Sequence, residues 1–324
     1  MASPTHVCGW NVPADGTLPA TAPDDVVIGG FGAGLPASVV GMEVTAATTA
    51  ASRRRLGWFF WVCAGWLILV AIGAIFAPAL PLQPPNITAS GALPFELPSI
   101  HHLLGTDDLG RDLFSRVVYG SRVSLVVGFG SISLGVFVGG LMGLVAGYVR
   151  GTTDTILSAV ANVALAFPAL ILLLAVVAFL GQNLLNITLA VGVLSIAPIF
   201  RVVRGTTVSF ADLEFVTAAN GVGATRRRVL FREILPNVVP IVISYSLVFV
   251  AVSILAEAAL SFLALSVALP TATWGGIVAE GKTYLSSDPY ICLWPSIALF
   301  LTVLSLNFVG DRLRALFDVR EAKL

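Results

Sequence analysis

Charge is scarce in this chain. Only 11% of its 324 residues are charged, split evenly between 18 basic and 18 acidic side chains. A soluble domain carries roughly a quarter, so a water-soluble globule is excluded. Lysine is nearly missing, present only as Lys282 and Lys323. The three cysteines, Cys8, Cys63 and Cys292, have neither metal-ligand spacing nor the density of a disulfide framework. No Gly-x-x-x-x-Gly-Lys-Ser/Thr sequence occurs, which excludes a phosphate loop of that kind within the chain. There is no His-Glu-x-x-His and no pair of acids inside an apolar run, so intramembrane catalysis lacks its groups. Residues 1–52 contain no Lys or Arg and show no periodicity; they read as a disordered tail rather than a signal peptide. The Gly29–Gly34 segment within them is a flexible linker by composition.

What the chain does have is apolar length. Hydrophobic residues make up 57%, and several runs exceed the roughly 20 residues a helix needs to cross a bilayer. Six spans are expected, at about 56–80, 123–149, 155–180, 184–203, 238–265 and 290–309, within a membrane domain covering 53–320. From Thr155 to Phe200 no charge occurs. At about 1.5 Å per residue that stretch is too long for one crossing, and Gly181-Gln-Asn-Leu-Leu-Asn186 supplies the turn.

Six spans place both termini on one side, and the basic residues test this. Arg53, Arg54, Arg55, Arg150, Arg201, Arg204, Arg226, Arg227, Arg228, Arg232, Arg312, Arg314, Arg320 and Lys323 fall on the side of the termini. Arg111, Arg116, Arg122 and Lys282 fall on the other. The positive-inside rule then puts both termini, including the tail 310–324, and the hairpin 204–237 in the cytoplasm.

That hairpin is polar and helix-forming between two spans. Ser209 or Asp212 is expected to cap a short helix through Leu213, Phe215, Val216 and Ala219, with Gly221 and Gly223 ending it. Thr225 is expected to cap a second, Arg226–Glu233, before Pro236. The apolar face of the first helix suits either a partner's groove or the anionic leaflet, and the residues alone leave both open.

Thr217-Ala218-Ala219, Gly223 and Leu235-Pro236 together resemble the coupling loop of ABC-importer permeases. His102-Leu-Leu-Gly105-Thr106-Asp107-Asp108-Leu-Gly110-Arg111-Asp112, Ala166-Phe167-Pro168, Glu257-Ala-Ala-Leu-Ser-Phe-Leu263, Trp274-Gly275 and Asn307-Phe-Val-Gly-Asp311 are similar to the C subunits of dipeptide and oligopeptide permeases. The likeness runs over residues 56–320. It implies an all-α polytopic fold of the MetI-like kind in a bacterial plasma membrane. It implies three kinds of partner: a second permease in a heterodimer, two cytoplasmic ATPases holding ATP and Mg, and an extracytoplasmic binding protein. The membrane lipid surrounds the spans, and no cofactor or nucleic acid is expected on this chain. The loop residues Asp212, Glu214, Phe215, Thr217, Ala218, Ala219, Gly223, Leu235 and Pro236 then contact the ATPase. Thr217 departs from the pattern, standing where the family usually has Glu.

Other groups have competing readings. Asp107, Asp108 and Asp112 suit a turn internally neutralised by Arg111 or Arg116 better than a metal site. His101 and His102 read as surface loop residues. Gly135, Gly139, Gly143 and Gly147 form a stripe for close helix approach, with the neighbour unspecified. Glu257 is the one ionisable residue deep in a span; it borders the translocation path or a subunit interface, or is a protonated or hydrogen-bonded packing group. Trp274-Gly275 suits a loop folded over the external mouth, with Trp274 near the binding protein or anchoring in the interface. The expected function is ATP-driven import of di- or oligopeptides. The alternatives are another solute, such as a nickel complex or glycan, or an ion-driven transporter.

Overall fold

The computed structural model describes residues 57–89 and 91–321. The tail read at 1–52, Arg53–Arg55 and the last three residues lie outside them. The helices are α1 Trp58–Phe76, α2 Leu113–Val149, α3 Gly151–Ala166, α4 Ala169–Leu180, α5 Leu184–Ala211, α6 Glu214–Gly221, α7 Arg226–Phe262, α8 Trp274–Gly281 and α9 Tyr290–Glu321. No strand is present among the described residues; Thr106 and Asp112 form an isolated antiparallel bridge.

The helices α1, α2, α5, α7 and α9 are each long and apolar enough to cross a membrane. The third expected span is broken: α3 and α4 meet at a bend of 83°. Pro168 causes it, because it lacks an N–H and forces Phe167 into extended backbone (φ −82°, ψ 136°). Counted as one crossing, this pair brings the total to six.

Several helices outrun their expected spans. The second starts at Leu113, ahead of the expected Val123, since Asp112 caps it through the Ser115 N–H. The helix α5 continues to Ala211, past its expected end at 203, so Arg204 lies on it rather than in the hairpin. The expected separate helix Arg226–Glu233 is the first part of α7. Thr225 caps it as expected, through the Arg228 N–H at 3.4 Å. A π-helical stretch, Val229–Ile234, carries it into the span, and the Asn237 side-chain amide donates to the Glu233 carbonyl. The widened turns absorb Pro236 without breaking the helix. The last helix likewise runs through most of the expected tail, to Glu321.

The Gly stripe has a partner within the chain. A Cβ added at Gly139 would lie 2.4 Å from the Ile196 carbonyl oxygen, and one at Gly143 would lie 2.8 Å from that of Phe200. The pair α2–α5 is therefore packed backbone to backbone. The main apolar core joins Val70, Ile132, Leu144, Phe200's neighbours Ile199 and Val203, Val216, Ile254 and Leu306. Large apolar side chains also face outward, Phe137 at 74% and Phe179 at 91% exposure. That inversion suits lipid as the surrounding solvent.

Candidate functional site

Three polar constellations stand out: two at the end opposite the basic hairpin and one at the basic end. The first is the turn 105–112. Asp107 is 1% exposed. Its Oδ1 accepts from the Leu109 and Arg111 N–H groups at 3.0 and 2.9 Å. Its Oδ2 accepts from Arg111 Nε at 2.6 Å and Arg116 Nη1 at 2.5 Å. Both guanidiniums also reach Glu280 on α8, each at 2.7 Å. Asp107, Asp108 and Glu280 bring carboxylate oxygens within 4.8 Å of one another, but the oxygens of Asp107 and Glu280 already bind arginine. The arrangement is an ion-pair network tying the turn to α8. Gly105 (φ +83°) and Gly110 (φ +67°) supply its left-handed corners.

His102 departs from its expected surface position. It is 5% exposed, and its Nδ1 lies 3.1 Å from Asp112 Oδ1. The same Asp112 caps α2 through its other oxygen. His101 is exposed.

The second constellation surrounds Glu257, which is 0% exposed. Its Oε2 accepts from Ser124 on α2 at 3.1 Å. Its Oε1 accepts from Ser261 at 2.7 Å and Ser266 at 3.1 Å. Ser261 in turn lies 2.9 Å from Thr273 Oγ1, which caps α8 through the Gly276 N–H. Among the described residues Glu257 makes no ion pair. Three hydroxyls supply its hydrogen bonds instead, as a buried polar group requires. This enclosed geometry supports the packing reading of Glu257. The sequence signal for it is a run of Ser and Thr, at 124, 261, 266 and 273, that periodicity alone leaves unconnected.

Trp274 is not at an interface: it is 1% exposed and donates its indole N–H to the Val117 carbonyl at 2.9 Å. Gly275 is required beside it, since a Cβ would lie 2.4 Å from the Ala258 oxygen. The helix α8 is thus seated on α2 and α7 rather than loosely folded over an opening.

The third constellation is the hairpin. Its apolar face points inward: Val216 is 2% exposed, and Phe215 and Ala219 pack against the main core. What α6 presents outward is Leu213, Glu214, Thr217 and Ala218. The side-chain N-caps expected for α6 are absent. Leu213 occupies the N-cap position of α6 without a side-chain bond, and Ser209 donates to the Gly205 carbonyl inside α5. Asp212 instead ends α5 and accepts from Arg150 Nη2 at 2.5 Å. Gly223 turns the chain at φ +80°. Leu235 is partly buried and Pro236 exposed, both in α7. Arg204 pairs with Asp154 through two hydrogen bonds, linking α5 to α3.

Residues 139–323 match the family described as binding-protein-dependent transport system inner membrane component. The chain belongs to that family. It is 37% identical over 268 residues to a glutathione transport system permease protein of Pectobacterium atrosepticum, covering 82% of this chain and 89% of that one. It is 38% identical over 247 residues to a dipeptide transport system permease protein of Alkalihalophilus pseudofirmus, covering 76% and 80%. A putative peptide transport system permease protein of Brucella suis is 38% identical over 255 residues, covering 78% and 85%. Among solved structures, inward-facing MetNI methionine ABC transporter superposes with a TM-score of 0.53 at 19% identity. That match covers 62% of this chain and 96% of the other, and it speaks to fold. The protein is a multi-pass, inner-membrane permease component of an ABC importer, with the all-α MetI-like fold. Its matched segment, 139–323, holds the hairpin, Glu257 and α8.

Proposed function

We propose that this permease imports short peptides, as one half of a permease heterodimer. The observation that carries the reading is the set of relatives above, named for glutathione, dipeptide and peptide transport at 37–38% identity over most of their length. A periplasmic-side binding protein delivers the solute, and two cytoplasmic ATPases hydrolyse ATP on Mg. Both termini and the hairpin 204–237 face the cytoplasm, a placement supported by fourteen basic residues on that side against four on the other.

The outward face of α6 (Leu213, Glu214, Thr217 and Ala218) is the ATPase contact in this reading. Phe215, Ala219 and Gly223 set its pose, with Leu235 and Pro236 anchoring the return into α7. ATP binding closes the ATPases, α6 moves with them, and the spans switch the side on which the path opens. Glu257 holds α8 to α2 and α7 during that switch. The turn 105–112, backed by the buried Trp274 and Gly275, forms the rigid outer rim that meets the binding protein.

The test is uptake in proteoliposomes of the assembled importer, with its binding protein and internal ATP, using labelled Ala-Ala and labelled glutathione. Saturable uptake that stops without ATP is expected. ATP-dependent uptake of another solute with neither peptide accumulated would overturn the peptide assignment. Transport by this chain alone, with no ATPase, would overturn the importer-subunit assembly.

A further inference from the structure

The turn between α2 and α3 holds a residue type that its backbone disfavours. Arg150 sits at φ +58°, ψ −163°, a region that is essentially reserved for glycine. Gly151 follows at φ +62°, so the chain has a glycine at the next position yet keeps an arginine at this one. A strained position occupied by a long side chain points to a use for that side chain.

Its use is visible in the geometry. Arg150 Nη2 donates to Asp212 Oδ1 at 2.5 Å, across 62 residues of sequence. Asp212 is the C-cap of α5, one position before Leu213, the N-cap residue of α6. The helices α2 and α5 are packed as one body, because Gly139, Gly143 and Gly147 of α2 lie against the backbone of α5 as far as Arg204, with the Thr207 side chain against Gly147. Asp154–Arg204 adds a second tie between the α2–α3 turn region and α5. The Arg150–Asp212 pair therefore spans the corner at which that rigid body gives way to α6. Below it lies a cleft of about 390 Å³ lined by Tyr148, Asn220 and Arg226 as well as the pair, so α6 is not otherwise packed solid on that side.

We propose that Arg150 is a positioning residue for energy coupling: its guanidinium clasps Asp212 and sets the angle of α6 against the α2–α5 body. The inference rests on the reading of α6 as the ATPase contact. Both side chains are about half exposed, 48% and 63%, and an exposed pair contributes little to stability. Losing it leaves insertion and assembly intact while loosening the angle that α6 presents. Arg150→Gly separates the two aspects of the site, since glycine accepts the backbone without strain but lacks the guanidinium.

The experiment measures ATP hydrolysed per labelled Ala-Ala imported, in proteoliposomes of the complete importer. It compares wild type with Arg150→Gly, Arg150→Lys, Asp212→Ala and the exchange Arg150→Asp with Asp212→Arg. Expected are a rise of threefold or more in ATP per peptide for Arg150→Gly and Asp212→Ala, unchanged co-purification of the ATPases for Arg150→Gly, near-normal coupling for Arg150→Lys, and recovery of at least half the loss in the exchange. An unchanged ratio in Arg150→Gly overturns the clasp, as does an exchange no better than its single variants. If Ala218→Arg on the outward face of α6 keeps normal ATPase co-purification and a normal ATP-to-peptide ratio while wild type imports Ala-Ala, the underlying coupling reading is overturned, and the clasp falls with it.

Discussion

Arg116 Nη1 meets Asp107 Oδ2 at 2.5 Å while each side chain is only 1% exposed. The same guanidinium holds both oxygens of Glu280, at 2.7 and 3.2 Å. One side chain at the start of α2 thereby fastens a loop that precedes it by nine residues to a helix 164 residues later. Removing one partner from a buried pair leaves its charge uncompensated, at a cost of about 3–5 kcal/mol. Arg116→Ala is expected to lower the thermal midpoint of the purified importer sharply, and Asp108→Asn, at the partly exposed end of the network, to leave it nearly unchanged. Equal midpoints for the two variants would contradict the network's structural role.

The Glu257 cluster makes a chemical prediction. Glu257→Gln keeps one acceptor oxygen and adds an N–H₂, and the surrounding hydroxyls can each donate or accept. Glu257→Leu leaves Ser124, Ser261 and Ser266 facing an apolar group, at about 1–3 kcal/mol for each hydroxyl that finds no other acceptor. Uptake by the Gln variant should therefore remain near wild type. The Leu variant should lose stability and show faster amide exchange across residues 273–281. Comparable exchange in both would show that the carboxylate does not hold α8.

Neighbouring glycines in α2 give an internal control. Gly139→Ala pushes a methyl to 2.4 Å from the Ile196 oxygen, whereas at Gly140 the nearest atom is Val136 Cγ1 at 4.0 Å. Overpacking of this kind costs about 1–3 kcal/mol. The yield of folded importer should fall for Gly139→Ala and hold for Gly140→Ala. Two equal yields would mean that α2 and α5 are not locked together.

On the hairpin, exposure separates contact from support. Ala218→Arg alters the outward face of α6 and should reduce ATPase co-purification without lowering membrane insertion. Val216→Asp buries a charge in the core cluster and should lower insertion and folded yield first. Gly223→Val strains a φ of +80° with open space around it, so it should raise ATP consumed per peptide through a misplaced turn. A normal ratio there, with normal ATPase binding by Ala218→Arg, would assign the hairpin to the lipid surface.

Much of the helical architecture was readable from the sequence, because bilayer thickness converts apolar run length into spans. The helix of Gly135, Gly139, Gly143 and Gly147 announced a close neighbour in the same way, through a spacing of four. Thr225 was legible as a cap because capping is a local matter of one hydroxyl and a backbone N–H three residues on. Less was legible wherever a side chain chooses between partners far apart in sequence. Asp212 had the composition of a helix cap, yet Arg150 takes its carboxylate from 62 residues away. Trp274 had the look of an interfacial anchor, and His102 that of a loop residue, but burial decided both.

Composition and run length therefore settled that the chain is a membrane-embedded helical protein. They could do so because a lipid solvent imposes its demands residue by residue along the chain. The tertiary structure decided what the polar residues do. It enclosed Glu257 among Ser124, Ser261 and Ser266, turned the apolar face of α6 inward onto the core, and bent the third crossing by 83° at Pro168. Those outcomes depend on which helices meet. A hydrogen bond or ion pair between segments a hundred residues apart leaves no period in the sequence to read.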